Sequence, residues 1–406
     1  MVDQARDRPR PSADAFADAL PAALLAQLDN YAPDAYDARS VARGIDHLRA
    51  AGVFARVARP DCSPEGHGAD RDAAQAAYRR QLAILYAVGR GSLPLGRVFE
   101  GHVNALELVH RFGDGEQREH FGAAAAAGAV FGVWNTEIPR EGVHVRPHAE
   151  GGYVLEGAKT FCSGADVLDY AIVPGQRWGA DGRAAGWQMC IVAMGPLGPE
   201  RHDGSFWSPL GMEASASHRV DFTGVRLSAD ALLGEPNDYH GQPHFSGGAV
   251  RFAAVQLGGA HALYDHALAL LKRMHRERDP YQAHRVGRMA IALQSGRNWL
   301  YRAAGEALCP HGDPAGVVDF ANMTRTAVLE ACNRVLDEAE MAVGARGMLS
   351  PKPIQRVYCD LKMYLRQPAP DSALAAVGHH AAERHTMPAE GSATTADLAA
   401  PSALAA

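Results

Sequence analysis

Three short segments carry side chains able to do chemistry. Glu100-Gly101-His102-Val103-Asn104 puts a carboxylate, an imidazole and an amide into an otherwise apolar helical stretch. Such groups need a polar site, so His102 is either a site residue or a satisfied core histidine. Trp134-Asn135-Thr136-Glu137 closes an apolar run, and Thr136 offers a hydroxyl where a strand would end. Gly157-Ala158-Lys159-Thr160-Phe161-Cys162-Ser163-Gly164-Ala165 follows with an aromatic and a hydroxyl two residues apart. Phe161 would stack on a planar ligand or fill the core. Further along lie Arg251, the pair Arg276 and Arg278, and Asp371, which fits a helix N-cap or a carboxylate base. Gly344 and Gly347 would let backbone approach a phosphate or adenosine, or serve as a helix C-cap and turn.

These side chains sit on three composition zones. Residues up to about 128 are Ala- and Leu-rich with apolar side chains at helical spacing, as in 78–88 and 106–109. From 130 the pattern becomes short strands: 130–134, 148–157 entered through Gly151-Gly152, 170–173, 188–193 and 218–225. After Gly234-Glu235-Pro236-Asn237 helical spacing returns, with helices expected at 250–274, 280–305, 318–343 and 354–364. Gly258-Gly259 inside the first of these implies close approach of another backbone or a ligand. The expected domains are 15–128, helical; 129–237, a β-barrel; and 238–386, a helical bundle. Residues 1–14 and 387–406 read as disordered ends.

Composition excludes several classes. With 406 residues, 47% hydrophobic and 21% charged, the chain is an ordinary globular protein of two or three domains. A net charge of -6 gives no basic footprint for nucleic acid. The start of the chain is charged and Pro-rich, unlike a signal peptide, and no apolar run is long enough for a membrane span. The six cysteines have no CxxC spacing, which argues against structural zinc and for free thiols in a reducing cytoplasm. No metal site is expected. Helices, then strands, then helices, with no GxGxxG after a strand, disfavours a Rossmann dinucleotide site.

In this order the segments resemble the acyl-CoA dehydrogenase flavoprotein superfamily. Trp134-Asn135-Thr136-Glu137 resembles its strand-end motif, and the 157–165 segment its Gly-x-Lys-x-aromatic motif. Leu210-Gly211-Met212, Val220-Asp221-Phe222 and Leu232-Leu233-Gly234 resemble the close of its β domain. Val343-Gly344-Ala345-Arg346-Gly347 and Gln355 to Asp360 resemble its last helices. The resemblance implies an α+β fold: an N-terminal helical domain, a middle β-barrel and a C-terminal four-helix bundle. It implies FAD, framed by Trp134, Asn135, Thr136, Phe161 and Ser163, with Arg278, Gly344 and Gly347 toward the dinucleotide. It implies a small-molecule or acyl-CoA substrate, a homodimer or homotetramer, and an electron-transfer or flavin-reductase partner. His102, Arg251 and Asp371 are its candidate catalytic residues.

Two departures stand out. The Ser of the family's phosphate-binding loop is absent from Ile138-Pro139-Arg140-Glu141-Gly142-Val143, and the Glu-Gly-Thr base is absent from 363–371. The alternative base position reads Ala249-Val250-Arg251, again without a carboxylate. An acyl-CoA dehydrogenase needs that base to remove the proton alpha to the thioester. Its absence fits a second branch, flavin-dependent monooxygenases of the same fold, and also a non-catalytic binding scaffold.

Overall fold

The computed structural model describes residues 16, 19–29, 39–58, 71–306, 314–350, 352–366 and 369–384. The expectations for the two termini lie outside these residues. Six helices come first: α1 (Ala22–Leu28), α2 (Ser40–Ala50), α3 (Val53–Val57), α4 (Arg71–Gly91), α5 (Leu93–Phe112) and α6 (Gly115–Ala126). The α5 helix starts where Ser92 accepts a hydrogen bond from Leu95 N–H at 3.3 Å, with Pro94 in the first turn.

Ten strands follow: β1 (Phe131–Val133), β2 (His144–Pro147), β3 (Tyr153–Glu156), β4 (Ala158–Cys162), β5 (Tyr170–Trp178), β6 (Ala184–Ala193), β7 (His202–Asp203), β8 (His218–Asp221), β9 (Val225–Leu227) and β10 (Leu232–Leu233). The larger sheet has the order β10-β6-β5-β2-β3-β9, and β1 pairs parallel to β5. The smaller sheet is β4-β8-β7. Together they curl around a core that includes Trp134, Val145, Leu155, Cys190 and Phe222.

Five helices close the chain: α7 (His244–Arg273), α8 (Pro280–Glu306), α9 (Pro314–Gly347), α10 (Pro353–Tyr364) and α11 (Pro370–Arg384). The first four were expected. The fifth begins at Pro370, whose fixed φ suits a first helical turn. The α7 helix packs on α4 at close range. A Cβ on Gly258 would stand 2.0 Å from Tyr86 O, and one on Gly89 2.3 Å from Val255 O. That close approach is the backbone contact implied by Gly258-Gly259. Among the described residues, Cys162, Cys190 and Cys332 are buried free thiols and Cys359 is half-buried and free. Burial pushes the Cys190 thiol up to about 12, which makes it inert.

Candidate active site

A cavity of about 680 Å³ opens where the strands meet α5, α7, α9 and the end of α10. One face of α5 supplies Arg97, Glu100, Gly101, Asn104 and Leu108. The spacing of three and four residues puts them on one stripe. Glu100 is 2% exposed and paired with Arg97; Asn104 donates its amide to the same carboxylate. Arg251, from α7, donates to Asn104 Oδ1. Carboxylate, amide and two guanidinium groups thus form one connected wall.

His102 is not part of that wall. Two residues from Glu100 and from Asn104, it points to the opposite side of α5. It is fully buried among Phe54, Phe99 and Phe131, with Nδ1 accepting Phe131 N–H at 3.2 Å. Burial lowers its pKa to about 3, so the ring is neutral. The expected catalytic histidine is therefore a core histidine.

The opposite wall comes from the strands. Asn135 and Thr136 line the cavity just past β1. Beneath them Lys159, fully buried, reaches Glu137 Oε1 at 2.5 Å and Asn135 O at 3.2 Å. Trp187 Nε1 donates to Asn135 Oδ1 at 3.1 Å. Thr160 N–H donates to Thr136 O at 2.9 Å. The strand-end segment is thereby fixed by side chains from β4 and β6. Trp134 does not reach the cavity. Its ring packs in the core beside Phe222, and Nε1 donates to Ser163 O at 3.1 Å, so it positions Ser163.

Phe161 lines the cavity with φ +54°, a left-handed conformation rare for a bulky residue. It sits at an irregularity in the β4–β8 pairing and is 47% exposed. Phe206 and Trp207 pack edge-on against it, at 5.2 and 6.0 Å. Beside it runs a chain of hydroxyls, Ser163 Oγ to Ser217 Oγ to Ser215 Oγ, each step 2.8 Å. All three line the cavity and all three are buried. Sequence alone does not single out Ser215 and Ser217. Their alternate spacing was the available signal, but their meeting with Ser163 depends on the pairing of β4 with β8.

The remaining wall includes Phe112, Tyr239, Phe245 and Phe252, with Arg325 from α9 and Tyr364 and Arg366 from α10 and its end. Burial pushes the Tyr239 phenol up to about 12, leaving a neutral hydroxyl. Asp371 is exposed on the first turn of α11 and does not line the cavity. It is placed where a helix-start carboxylate belongs, not where a base is needed.

A second cleft, of about 350 Å³, lies between α8 and α9. Arg276, Arg285 and Gly344 line it. Gly344 kinks α9 at φ +59°, with open space where a side chain would be. Arg278 is exposed and outside this cleft; Gly347 is buried against Val343. Arg276 and Arg285, not Arg278, are the cations that share this cleft with Gly344.

The cavity fits a flavin by its makeup: an aromatic wall, an uncharged chain of hydroxyls, an amide and nearby cations. Asn135, Thr136, Phe161, Ser163 and Ser217 are the residues that would hold the ring.

Residues 242–365 match the family model "Acyl-CoA dehydrogenase, C-terminal domain". A dibenzothiophene monooxygenase of Rhodococcus erythropolis is 26% identical over 367 residues, covering 82% of this chain and 85% of that protein. Among solved structures, the dibenzothiophene monooxygenase TdsC of Paenibacillus sp. A11-2, in complex with FMN and indole, has a TM-score of 0.76. It is 18% identical, with 92% of this chain and 98% of that one covered. Butyryl-CoA dehydrogenase of Megasphaera elsdenii has a TM-score of 0.70 at 18% identity, covering 92% and 100%.

Proposed function

We propose, from the premise that the chain belongs to the acyl-CoA dehydrogenase flavoprotein superfamily, that it is a flavin-dependent monooxygenase acting on a small, largely apolar ring compound. One observation carries the choice of branch. Among the described residues, two carboxylates line the cavity and both are engaged. Glu100 is paired with Arg97 and Asn104, and Asp238 accepts Glu235 N–H at 2.8 Å. Neither stands ready to take a proton from carbon, as the dehydrogenase reaction requires. The likeness to a dibenzothiophene monooxygenase supports the same reading.

Reduced flavin supplies the oxygen-activating chemistry when bound. The chain's part is placement. Phe161 and Trp207 form an aromatic wall, with Phe206 packed against Phe161, and the Ser163–Ser217–Ser215 chain would offer hydroxyls to the ring. Phe112, Phe245 and Phe252 add an apolar surface to the cavity, which suits a fused aromatic substrate. The neutral Tyr239 hydroxyl and the Arg251–Asn104–Glu100 array provide hydrogen bonds where a heteroatom gains charge.

FAD is the finer reading. The Arg276–Arg285–Gly344 cleft suits a pyrophosphate and adenosine reaching across from a neighbouring copy of the chain, so a homo-oligomer goes with it. A separate flavin reductase would supply the reduced cofactor. Among the described residues no helix is long and apolar enough to cross a membrane.

The test supplies enzymatically reduced FAD or FMN, oxygen and a panel of sulfur- and nitrogen-containing aromatic heterocycles. Incorporation of labelled oxygen into one of them is the expected result. Anaerobic bleaching of bound flavin by an acyl-CoA, with no oxygenation, would return the chain to the dehydrogenase branch.

A further inference from the structure

The turn after β4 brings Asp166 beside His202, at the start of β7, and His218, at the start of β8. One ring nitrogen of each histidine and one carboxylate oxygen of Asp166 lie within 4.8 Å of one another. His202 pairs opposite Val220, so His218, two residues earlier on β8, shares its face. The Nδ1 atoms of His202 and His218 stand 3.7 and 3.6 Å from Asp166 Oδ1. That is too far for a hydrogen bond. It is close to the roughly 3.4 Å between donor atoms that share a tetrahedral ion at bonds of about 2.0–2.1 Å. His218 Nδ1 is buried with no hydrogen-bond partner, a costly state that a bound cation would relieve. The two imidazoles are mostly shielded, at 14% and 17% side-chain exposure, whereas Asp166 is 57% exposed. Water therefore has access to the remaining coordination position.

We propose that Asp166, His202 and His218 form a binding site for a divalent transition cation of the zinc type. Two nitrogens and one carboxylate oxygen suit such an ion better than magnesium or calcium, which favour all-oxygen sites. The site is separate from the large cavity and stands apart from the flavin reading. Cavity residues are its neighbours along the chain. Ser217 immediately precedes His218, and Ser163 lies three residues before Asp166. The ion would clasp the turn after β4 to strands β7 and β8. Phe206 and Trp207, on the segment that follows β7, pack against Phe161.

Titration of chelator-treated full-length protein with Co²⁺ tests this directly. One equivalent bound, with visible ligand-field bands that Zn²⁺ abolishes, is the expected result. Zn²⁺ should also raise the thermal unfolding midpoint. Asp166→Asn, a change at an exposed position, should weaken Co²⁺ binding by ~100-fold or more. His202→Gln and His218→Gln should abolish the bands, while His120→Gln, at an exposed histidine elsewhere, should leave them intact. Absence of stoichiometric binding by the folded protein overturns the proposal. So does binding that Asp166→Asn and both histidine variants leave unchanged.

Discussion

Lys159 is fully buried, and its ammonium lies 2.5 Å from Glu137 Oε1. The pair joins β4 to the segment that carries Asn135 and Thr136, and Glu137 Oε1 also accepts Val143 N–H at 2.9 Å. Removing one partner leaves a carboxylate, 22% exposed, without its cation. Lys159→Met should therefore cost about 3 kcal/mol in urea unfolding. Replacing Glu137 by an apolar residue as well should recover only part of that loss, because Val143 N–H then loses its acceptor. The single variant should also bind flavin more weakly, because Asn135 loses the support of Nζ.

His102 gives stability a dependence on pH. Its pKa is about 3 in the folded chain and 6.5 when unfolded. Between those values the unfolded chain takes up a proton that the folded chain refuses, so stability falls as pH drops below 6.5. At pH 5 the wild type should have lost about 2 kcal/mol from this residue alone. His102→Leu lacks that penalty but strands Phe131 N–H. It should be clearly less stable than wild type at pH 7.5, and the gap should close by pH 5 in denaturant titrations.

Asp360 works in the other direction. Burial raises its carboxyl to about 7, and Oδ1 accepts Met212 N–H at 2.5 Å. The folded chain then holds a proton that the unfolded chain releases above about 4. Stability from this group is present at low pH and is lost as pH rises through 7. Asp360→Asn keeps the acceptor and removes the titration. Its stabilising effect should be larger at pH 8 than at pH 5 by about 3 kcal/mol.

The sequence made some of this legible and hid the rest for physical reasons. Long helices announced themselves through apolar spacing, and Gly258-Gly259 through the absence of side chains at a helix crossing. The β2 strand stayed hidden because His144, Arg146 and Pro147 make a weak alternation. Pro174 reads as the end of the strand that starts at Tyr170, yet β5 continues to Trp178, with Pro174 opposite Met189. His102 was grouped with Glu100 and Asn104 by composition; helical phase alone would have separated them. Asp371 drew notice for its type, and nothing local shows that it faces away from the cavity. Arg325, Tyr364 and the serine chain meet only through tertiary packing, which no window of sequence contains.

Arg276 offers a way to tell the two flavins apart. It lines the cleft beside Gly344, half-exposed, with a loose ion pair to Asp279 at 3.8 Å. Arg276→Ala should leave folding unchanged. If the cleft holds the adenosine half of FAD, the variant should bind FAD ~10-fold more weakly and FMN as before. Fluorescence titration with each cofactor reads the difference.

Ser163 and Asp371 make opposite claims on turnover. Ser163 shares a 2.8 Å hydrogen bond with Ser217 inside the cavity, whereas Asp371 lies on an exposed first turn outside it. Ser163→Ala removes one hydroxyl of three and creates little space. It should weaken flavin binding by roughly 3–10-fold, the effect of losing about 1 kcal/mol of hydrogen bonding. Asp371→Asn should leave both flavin affinity and oxygenation unchanged. A dehydrogenase using Asp371 as its base would instead lose nearly all turnover with no change in flavin affinity. Measuring cofactor affinity and turnover side by side on the two variants separates placement of the ring from proton abstraction. The geometry predicts that only Ser163→Ala moves either quantity.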